Sequence, residues 1–357
     1  MGTPYSSLKI FYHRDALDAL KNKTRIAPVY IRLKPTNLCN HHCEYCTYGS
    51  GDTSQKTQNR DNVNHTDMIP WEKLQGILRD MGGMGVKAIT FSGGGEPLTY
   101  PHIVEAAQMA QRNGMDLSLI TNGQLLMNER AEAFHSAKWV RISFDSPNQE
   151  KYMALRRVSA ESFQQVIKNI RDFAANKNKS CTLGINFVVS RANYQQVYEA
   201  AKLLKSLGAD NVKFAAMDGN VPHYHEEIKD EVIEQIQRAQ EDFADGKFSI
   251  FNNYQNDWKQ KNPSAQNFPV CYTCKLVTVI AADQKVYFCH TRAYDSKAEV
   301  GDLHNQSFRD MWFSEETTDK LDTLRPMVDC RNFCVYEERN RLIQAYFDSD
   351  TEHVNFI

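Results

Sequence analysis

No run of about 18 apolar residues occurs in this 357-residue chain, so no transmembrane helix is expected. The N-terminus MGTPYSSLKIFYHRD lacks the charged start and apolar stretch of a secretory signal. Met1-Gly2-Thr3-Pro4-Tyr5-Ser6 fits the myristoylation pattern, one short enough to arise by chance. Glycosylation-like triplets at Asn22, Asn64, Asn178 and Asn305 matter only in a secreted protein. A cytoplasmic protein is expected. Excess charge of one sign is also missing: 42 Lys and Arg stand against 44 Asp and Glu, a net charge of −2. That balance gives no electrostatic case for a nucleic acid or an anionic membrane as main partner. Low-complexity tracts are absent, as are repeats beyond a strand–helix alternation. A hydrophobic share of 41% with 24% charged residues excludes a disordered or collagen-like chain.

What the chain does contain is clustered cysteine. Nine cysteines sit at 39, 43, 46, 181, 271, 274, 289, 330 and 334. An odd number in a chain without a signal argues against a disulfide framework. Three fall within eight residues near the start, and five fall in the last quarter. Clustered thiols in a reducing compartment bind metal. Cys181, alone at the start of a strand, reads as a buried core thiol.

Length predicts two domains or three. Residues 1–28 are a lead-in. Residues 29–222 form a core in which strands at about 29–34, 86–91, 117–120, 139–144, 183–189 and 212–217 alternate with amphipathic helices. Six strands in units of about 30 residues predict a parallel sheet with right-handed crossovers. An open doubly wound sheet and a barrel-like one both carry chemistry at the carboxyl ends of strands. The polar stretch from Tyr48 to Asp67 is expected to be a loop or lid. Residues 223–357 begin with a linker helix over 226–243, continue through a loop-rich 245–270, and end in the cysteine-dense tail.

Directly after the first strand comes Cys39-Asn40-His41-His42-Cys43-Glu44-Tyr45-Cys46, a C-x3-C-x2-C pattern. Three thiolates on one loop can hold three irons of a [4Fe–4S] cube, leaving the fourth iron open for chemistry. A structural zinc site using His41 or His42 is the plainer alternative. After the second strand comes Ser92-Gly93-Gly94-Gly95-Glu96-Pro97, where glycines admit close backbone approach to a ligand. Alone it is equally well a tight turn with a solvated acid.

Together these two segments resemble the radical S-adenosylmethionine (radical SAM) enzymes over about residues 28–218. The resemblance implies an α/β fold: a partial (β/α)6 TIM-like barrel with a small C-terminal Fe–S domain. It implies Cys39, Cys43 and Cys46 as ligands of the [4Fe–4S] cluster that binds S-adenosylmethionine. It implies Tyr45 beside the adenine, and Gly94, Gly95 and Glu96 at the methionyl amine. Ser143, in Ile142-Ser143-Phe144-Asp145, resembles a segment near the cofactor. Arg157, or its neighbour Arg156, resembles the arginine that pairs with the methionyl carboxylate, a bidentate match. Asn122 and Asn186 fall where sugar or backbone contacts are made, though polar strand caps would look the same.

The tail reads Cys271-x2-Cys274, then Cys289, then Cys330-x3-Cys334. It resembles the Twitch-type, half-length SPASM extension, which carries one auxiliary [4Fe–4S] cluster. The implied ligands are Cys289, Cys330 and Cys334 with either Cys271 or Cys274. The first three tail cysteines also resemble the nucleotide cyclase of the molybdopterin pathway, whose auxiliary cluster keeps an open iron for substrate. This chain lacks that enzyme's terminal Gly-Gly and ends Val354-Asn355-Phe356-Ile357. A zinc ribbon is the remaining reading of these thiols.

The resemblance implies reductive cleavage of S-adenosylmethionine to a 5′-deoxyadenosyl radical and hydrogen abstraction from substrate, with dehydrogenation, epimerisation or elimination as outcomes. A low-potential donor such as flavodoxin or ferredoxin is implied as electron partner. The short lead-in leaves no room for a leader-binding domain, so a small polar substrate is expected, a sugar or nucleotide derivative. Asp145, Asp218, His223 and His225 are the substrate-side candidates. A peptide-modifying maturase, the cyclase-like reading and a non-catalytic Fe–S or zinc scaffold or sensor are the alternatives.

Overall fold

The computed structural model describes residues 6–49, 63–217, 224–255, 268–330, 334–349, 352, 353 and 355. One ten-stranded sheet organises them. Seven strands run parallel in chain order: β1 (Tyr30–Leu33), β2 (Ala88–Phe91), β3 (Asp116–Thr121), β4 (Trp139–Ser143), β5 (Thr182–Val189), β6 (Asn211–Ala216) and β7 (Ser249–Asn252). Consecutive neighbours joined by helices make the (β/α) crossover pattern, and the first and last of them do not pair. The result is a partial barrel of the α/β class.

Strand alternation separates two environments. On β1, Ile31 and Leu33 are fully buried and join the apolar layer between sheet and helices. Ile89 and Phe91 on β2 do the same, as do Val212 and Phe214 on β6. The alternate residues face the lumen and are largely polar. Tyr30 Oη meets Thr90 Oγ1 at 2.7 Å, and Thr90 Oγ1 meets Ser118 Oγ at 2.6 Å. A closed barrel core is filled with branched apolar side chains; a polar lumen is a place for ligands.

The crossover helices bury regular apolar stripes. In Trp71–Met84 these are Leu74, Ile77, Leu78 and Met81. In Ala160–Asn176 they are Phe163, Val166, Ile170 and Phe173, and Ser159 caps the start by accepting from the Ser162 N–H.

Two parts of the chain depart from the sequence expectation. Residues 249–252, read above as loop, form β7 parallel to β6. Four residues with two half-buried positions leave too short a pattern to separate from a loop. In the tail, β8 (Val277–Ile280) pairs parallel with β1, and β9 (Lys285–Tyr287) and β10 (Glu299–Asp302) follow antiparallel. The sheet therefore includes strands on both sides of residue 222. The lead-in packs on this tail: Ile10 and Leu17 share a small apolar cluster with Leu276, Val277 and Ile343. Among the described residues, no helix is long and apolar enough to cross a membrane.

Candidate functional site

The carboxyl ends of β1 to β4 open into a cavity of about 750 Å³. Its lining joins segments far apart in sequence. The loop after β1 brings Cys39, Cys43, Tyr45 and Cys46. The loop after β2 brings Gly94, Gly95 and Glu96, and the end of β3 brings Asn122. Ser143 and Asp145 come from β4 and its end, and Arg156 and Arg157 from the end of the helix Gln149–Arg156.

The cysteine loop is positioned by backbone and side chain together. Gly95 N–H donates to Thr36 O at 3.1 Å and Glu96 N–H to Leu38 O at 2.8 Å, so the glycine turn lies directly against it. A Cβ on Gly94 would fall 2.0 Å from Asn37 Oδ1, and one on Gly95 would fall 2.0 Å from Leu38 O. Only residues without a Cβ admit this approach. On the other side, Asn122 Nδ2 donates to Asn40 Oδ1 at 2.7 Å. Gln124 Oε1 accepts from Asn40 Nδ2 at 3.1 Å and lies 2.7 Å from His41 Nε2. Asn169 holds this β3 loop by donating to the carbonyls of Gly123 and Gln124.

Glu96 is buried, and its carboxylate is committed. It accepts from Thr121 Oγ1 at 2.6 Å, from the Asn122 N–H at 2.6 Å and from the Leu98 N–H at 3.1 Å. Burial raises its carboxyl to about 6, with those three bonds opposing the rise. Asp145 is also buried and committed, to Tyr45 Oη, the Arg156 guanidinium and the Val188 N–H. Arg157 stands apart from its neighbour: it is exposed, it lines the cavity, and it closes its helix with φ +51°. Burial pushes the Cys43 thiol up to about 11, with Arg156 opposing and Cys46 and Asp145 adding. Cluster assembly at these thiols must therefore displace protons.

The remaining sequence candidates lie elsewhere. Asn186 sits on β5 opposite Ser143, gives its carbonyl to Phe144 N–H, and does not line the cavity. His225 is 7% exposed, with Nε2 3.1 Å from Met217 O and Nδ1 3.2 Å from Tyr254 Oη. It is a bonded core histidine. Asp218 and His223 lie outside the described residues, as do residues 1–5 of the myristoylation-like start and 50–62 of the polar loop.

In the tail, Cys330 is pushed up to about 12 by burial and then by Cys271 and Cys289. Cys334 is pushed up to about 12 by burial, with Cys289, Cys271 and Cys330 adding. Cys289 is raised by burial and by Cys271. These four thiols feel one another. Cys274 bonds to Cys271: its thiol donates to Cys271 O at 2.9 Å, and its contact with the Cys271 thiol is the first cause that raises that group. Among the described residues no three His, Cys, Asp or Glu side chains converge as one ion requires.

Residues 33–204 match the Radical SAM superfamily. That stretch is a radical SAM domain. It is 32% identical over 165 residues to GTP 3′,8-cyclase of Chlorobaculum tepidum, across 45% of each chain. The chain spans about half or less of the length of the curated relatives it matches. The crystal structure of Streptococcus suis SuiB bound to S-adenosylmethionine superposes with a TM-score of 0.61 at 16% identity, covering 87% of this chain and 72% of that one. The structure of anSMEcpe with bound AdoMet gives 0.60 at 17% identity, covering 90% and 97%. Those likenesses show a common radical SAM fold. Radical SAM relatives similar to this chain are enzymes, and the radical SAM family uses a [4Fe–4S] cluster and S-adenosylmethionine. Three thiols on one loop, a glycine cradle and an exposed arginine in a single cavity suit that pair of groups.

Three residues escape the sequence reading in a positioning role. Asn40 and His41 hide inside the cysteine motif, and Gln124 follows an ordinary turn. Their proximity to the motif in space, not in sequence, gives them a role.

Proposed function

We propose that this enzyme abstracts hydrogen from a small polar molecule, a sugar or nucleotide derivative. The carrying observation is the single cavity that joins Cys39, Cys43 and Cys46 to Gly94, Gly95, Ser143 and Arg157. Cys39, Cys43 and Cys46 would hold the cluster, and S-adenosylmethionine bound there would supply the hydrogen-abstracting chemistry. The residues around it bind and orient. The exposed Arg157 meets the methionyl carboxylate, a bidentate partner for its guanidinium. Arg156, already neutralised by Asp145, orients the cysteine loop instead. The Gly94–Gly95 backbone receives the methionyl amine, and Glu96 fixes Asn122 beside it. Tyr45, tied to Asp145, forms the wall near the adenine. A cavity of about 750 Å³ shared with cluster and cofactor leaves room for a small substrate.

Cys271, Cys289, Cys330 and Cys334 hold a second, fully cysteine-ligated [4Fe–4S] cluster of the Twitch/SPASM kind. A closed cluster relays electrons or supports structure and does not ligate substrate. That disfavours the cyclase-like reading. A flavodoxin or ferredoxin delivers the electron, and the setting is the cytoplasm. Precursor peptide appears with SuiB, which keeps a peptide substrate as the second reading.

The test is anaerobic. Reduced enzyme with S-adenosylmethionine is expected to release 5′-deoxyadenosine and methionine. No release from protein with a full iron complement overturns the proposal.

A further inference from the structure

Three segments far apart in sequence meet beside the cavity: Asn37 before the cysteine motif, Gly94 after β2, and Tyr294 after β9. Asn37 and Gly94 line the cavity, and Tyr294 does not. Asn37 is 1% exposed, and its amide has one orientation open to it. Nδ2 donates to Asn64 O at 2.9 Å, and Oδ1 accepts from Tyr294 Oη. A backbone carbonyl can only accept, so a flipped amide would set oxygen against oxygen.

Gly94 lies against this bond. A Cβ there would fall 2.0 Å from Asn37 Oδ1 and 2.5 Å from Tyr294 Oη. One residue earlier in the turn, Gly93 O accepts from Lys34 Nζ at 2.7 Å. That ammonium lies 4.1 Å from the centre of the Tyr48 ring and 6.0 Å from that of Tyr294.

Tyr294 holds its place at a cost. Its φ is +71°, in a region that a bulky side chain avoids. Such a backbone persists only where its surroundings fix it. Here they do. Tyr294 is 2% exposed, and its ring meets Tyr48 and Tyr287 with centroids 5.8 Å away in each case. The turn that follows is closed by Ala298 N–H donating to Asp295 O at 2.8 Å. The strain is kept where it aims a hydroxyl at the residue beside the glycine turn.

We propose that Tyr294 is a positioning residue for the cofactor site: its hydroxyl fixes Asn37, and Asn37 fixes the turn at Gly94. The tail thereby sets the affinity of the motif loops for S-adenosylmethionine. Without the hydroxyl, Asn37 Oδ1 is a buried acceptor without a donor. Fewer molecules then hold the turn in place, and the apparent affinity falls with that fraction. The inference rests on the cofactor reading above and adds to it a residue outside the motifs.

Equilibrium dialysis of labelled S-adenosylmethionine against anaerobically reconstituted protein reads the affinity. Tyr294→Phe keeps the ring and removes the hydroxyl. It should weaken binding roughly tenfold, the effect of one buried acceptor left without its donor. Tyr287→Phe is the control: its ring neighbours Tyr294, but its hydroxyl donates to Asp283, and it should bind normally. In an Asn37→Ala background, removing the Tyr294 hydroxyl should cost roughly twofold or less, because the group it acts through is gone. At saturating cofactor, the electron paramagnetic resonance signal of the reduced cluster in Tyr294→Phe should match that of the wild type. Normal binding by Tyr294→Phe overturns the inference and leaves the cofactor reading standing. Equal loss in Tyr287→Phe, a changed signal at saturation, or a full tenfold loss in the Asn37→Ala background overturns it as well. Absence of binding by the wild type overturns the reading and the inference together. Should Asn37→Ala not fold, the two tyrosine variants still decide.

Discussion

Asp145 and Arg156 form a buried ion pair that ties the end of β4 to the cysteine loop through Tyr45. The same carboxylate accepts the Val188 N–H of β5 at 2.9 Å. One side chain thus fixes two strand ends, a helix end and the motif loop.

Asp145→Asn should leave the Arg156 guanidinium buried without its counter-charge. Breaking such a pair costs about 3–5 kcal/mol. Pairing that change with Arg156→Met should recover part of the loss, because the stranded charge is gone. Urea unfolding of the apo, thiol-reduced protein measures both. Strictly additive losses would show that the two residues act independently.

The auxiliary cluster gives a sharper contrast. Wild-type protein reconstituted anaerobically should hold about eight irons in two cubes. Changing Cys39, Cys43 and Cys46 together to Ala should leave about four. Cys271→Ala should disturb the second cube, whereas Cys274→Ala should preserve it, because the Cys274 thiol is engaged by Cys271 O. Iron content and electron paramagnetic resonance read the outcome. Equal loss from both variants would remove the distinction drawn between them.

At Gly95, an added Cβ meets backbone: Leu38 O at 2.0 Å and Asn37 C at 2.5 Å. Neither atom can swing away, so Gly95→Ala must move the cysteine loop. S-adenosylmethionine affinity should fall by about tenfold or more, equivalent to about 1.4 kcal/mol. Gly246→Ala meets nothing within 4 Å and should bind normally. Equilibrium dialysis with labelled cofactor separates the two, and normal binding by Gly95→Ala would sink the packing argument.

Much of this was legible because it is local. The period-2 and period-3.6 patterns found β1 to β6 and their helices, and the cysteine spacing pointed to the site. β7 escaped, being a four-residue strand with little alternation. β8 escaped because its pairing with β1 joins positions nearly 250 residues apart. Burial decided what residue type could not. Arg156 and Arg157 are equivalent in sequence, yet one is 3% exposed and paired and the other is exposed and lines the cavity. His225 looked like a candidate in a polar segment and proves to be bonded to Met217 O and Tyr254. Gln124 was invisible because its partners, Asn40 and His41, come from another loop.

Glu96 links pH to the integrity of the site. Burial raises its carboxyl from 4.5 to about 6, despite the bonds from Thr121, Asn122 and Leu98. Between those values the folded protein holds a proton that the unfolded chain has released. Stability from this group is therefore full below pH 4.5 and declines as pH rises to 6. A rise of about 1.5 units corresponds to a decline of about 2 kcal/mol. Glu96→Gln removes the titration, so its stability should vary less with pH across that window. The variant should also be weaker throughout, by about 1–3 kcal/mol, because its amide N–H₂ faces a backbone donor, Asn122 N–H or Leu98 N–H. Urea unfolding of the apo, thiol-reduced proteins from pH 4.5 to 7 reads the difference between the two curves. Other carboxylates titrate alike in both proteins and cancel. Curves that stay parallel across the window would show that Glu96 keeps an ordinary pKa, and that its three hydrogen bonds offset its burial in full.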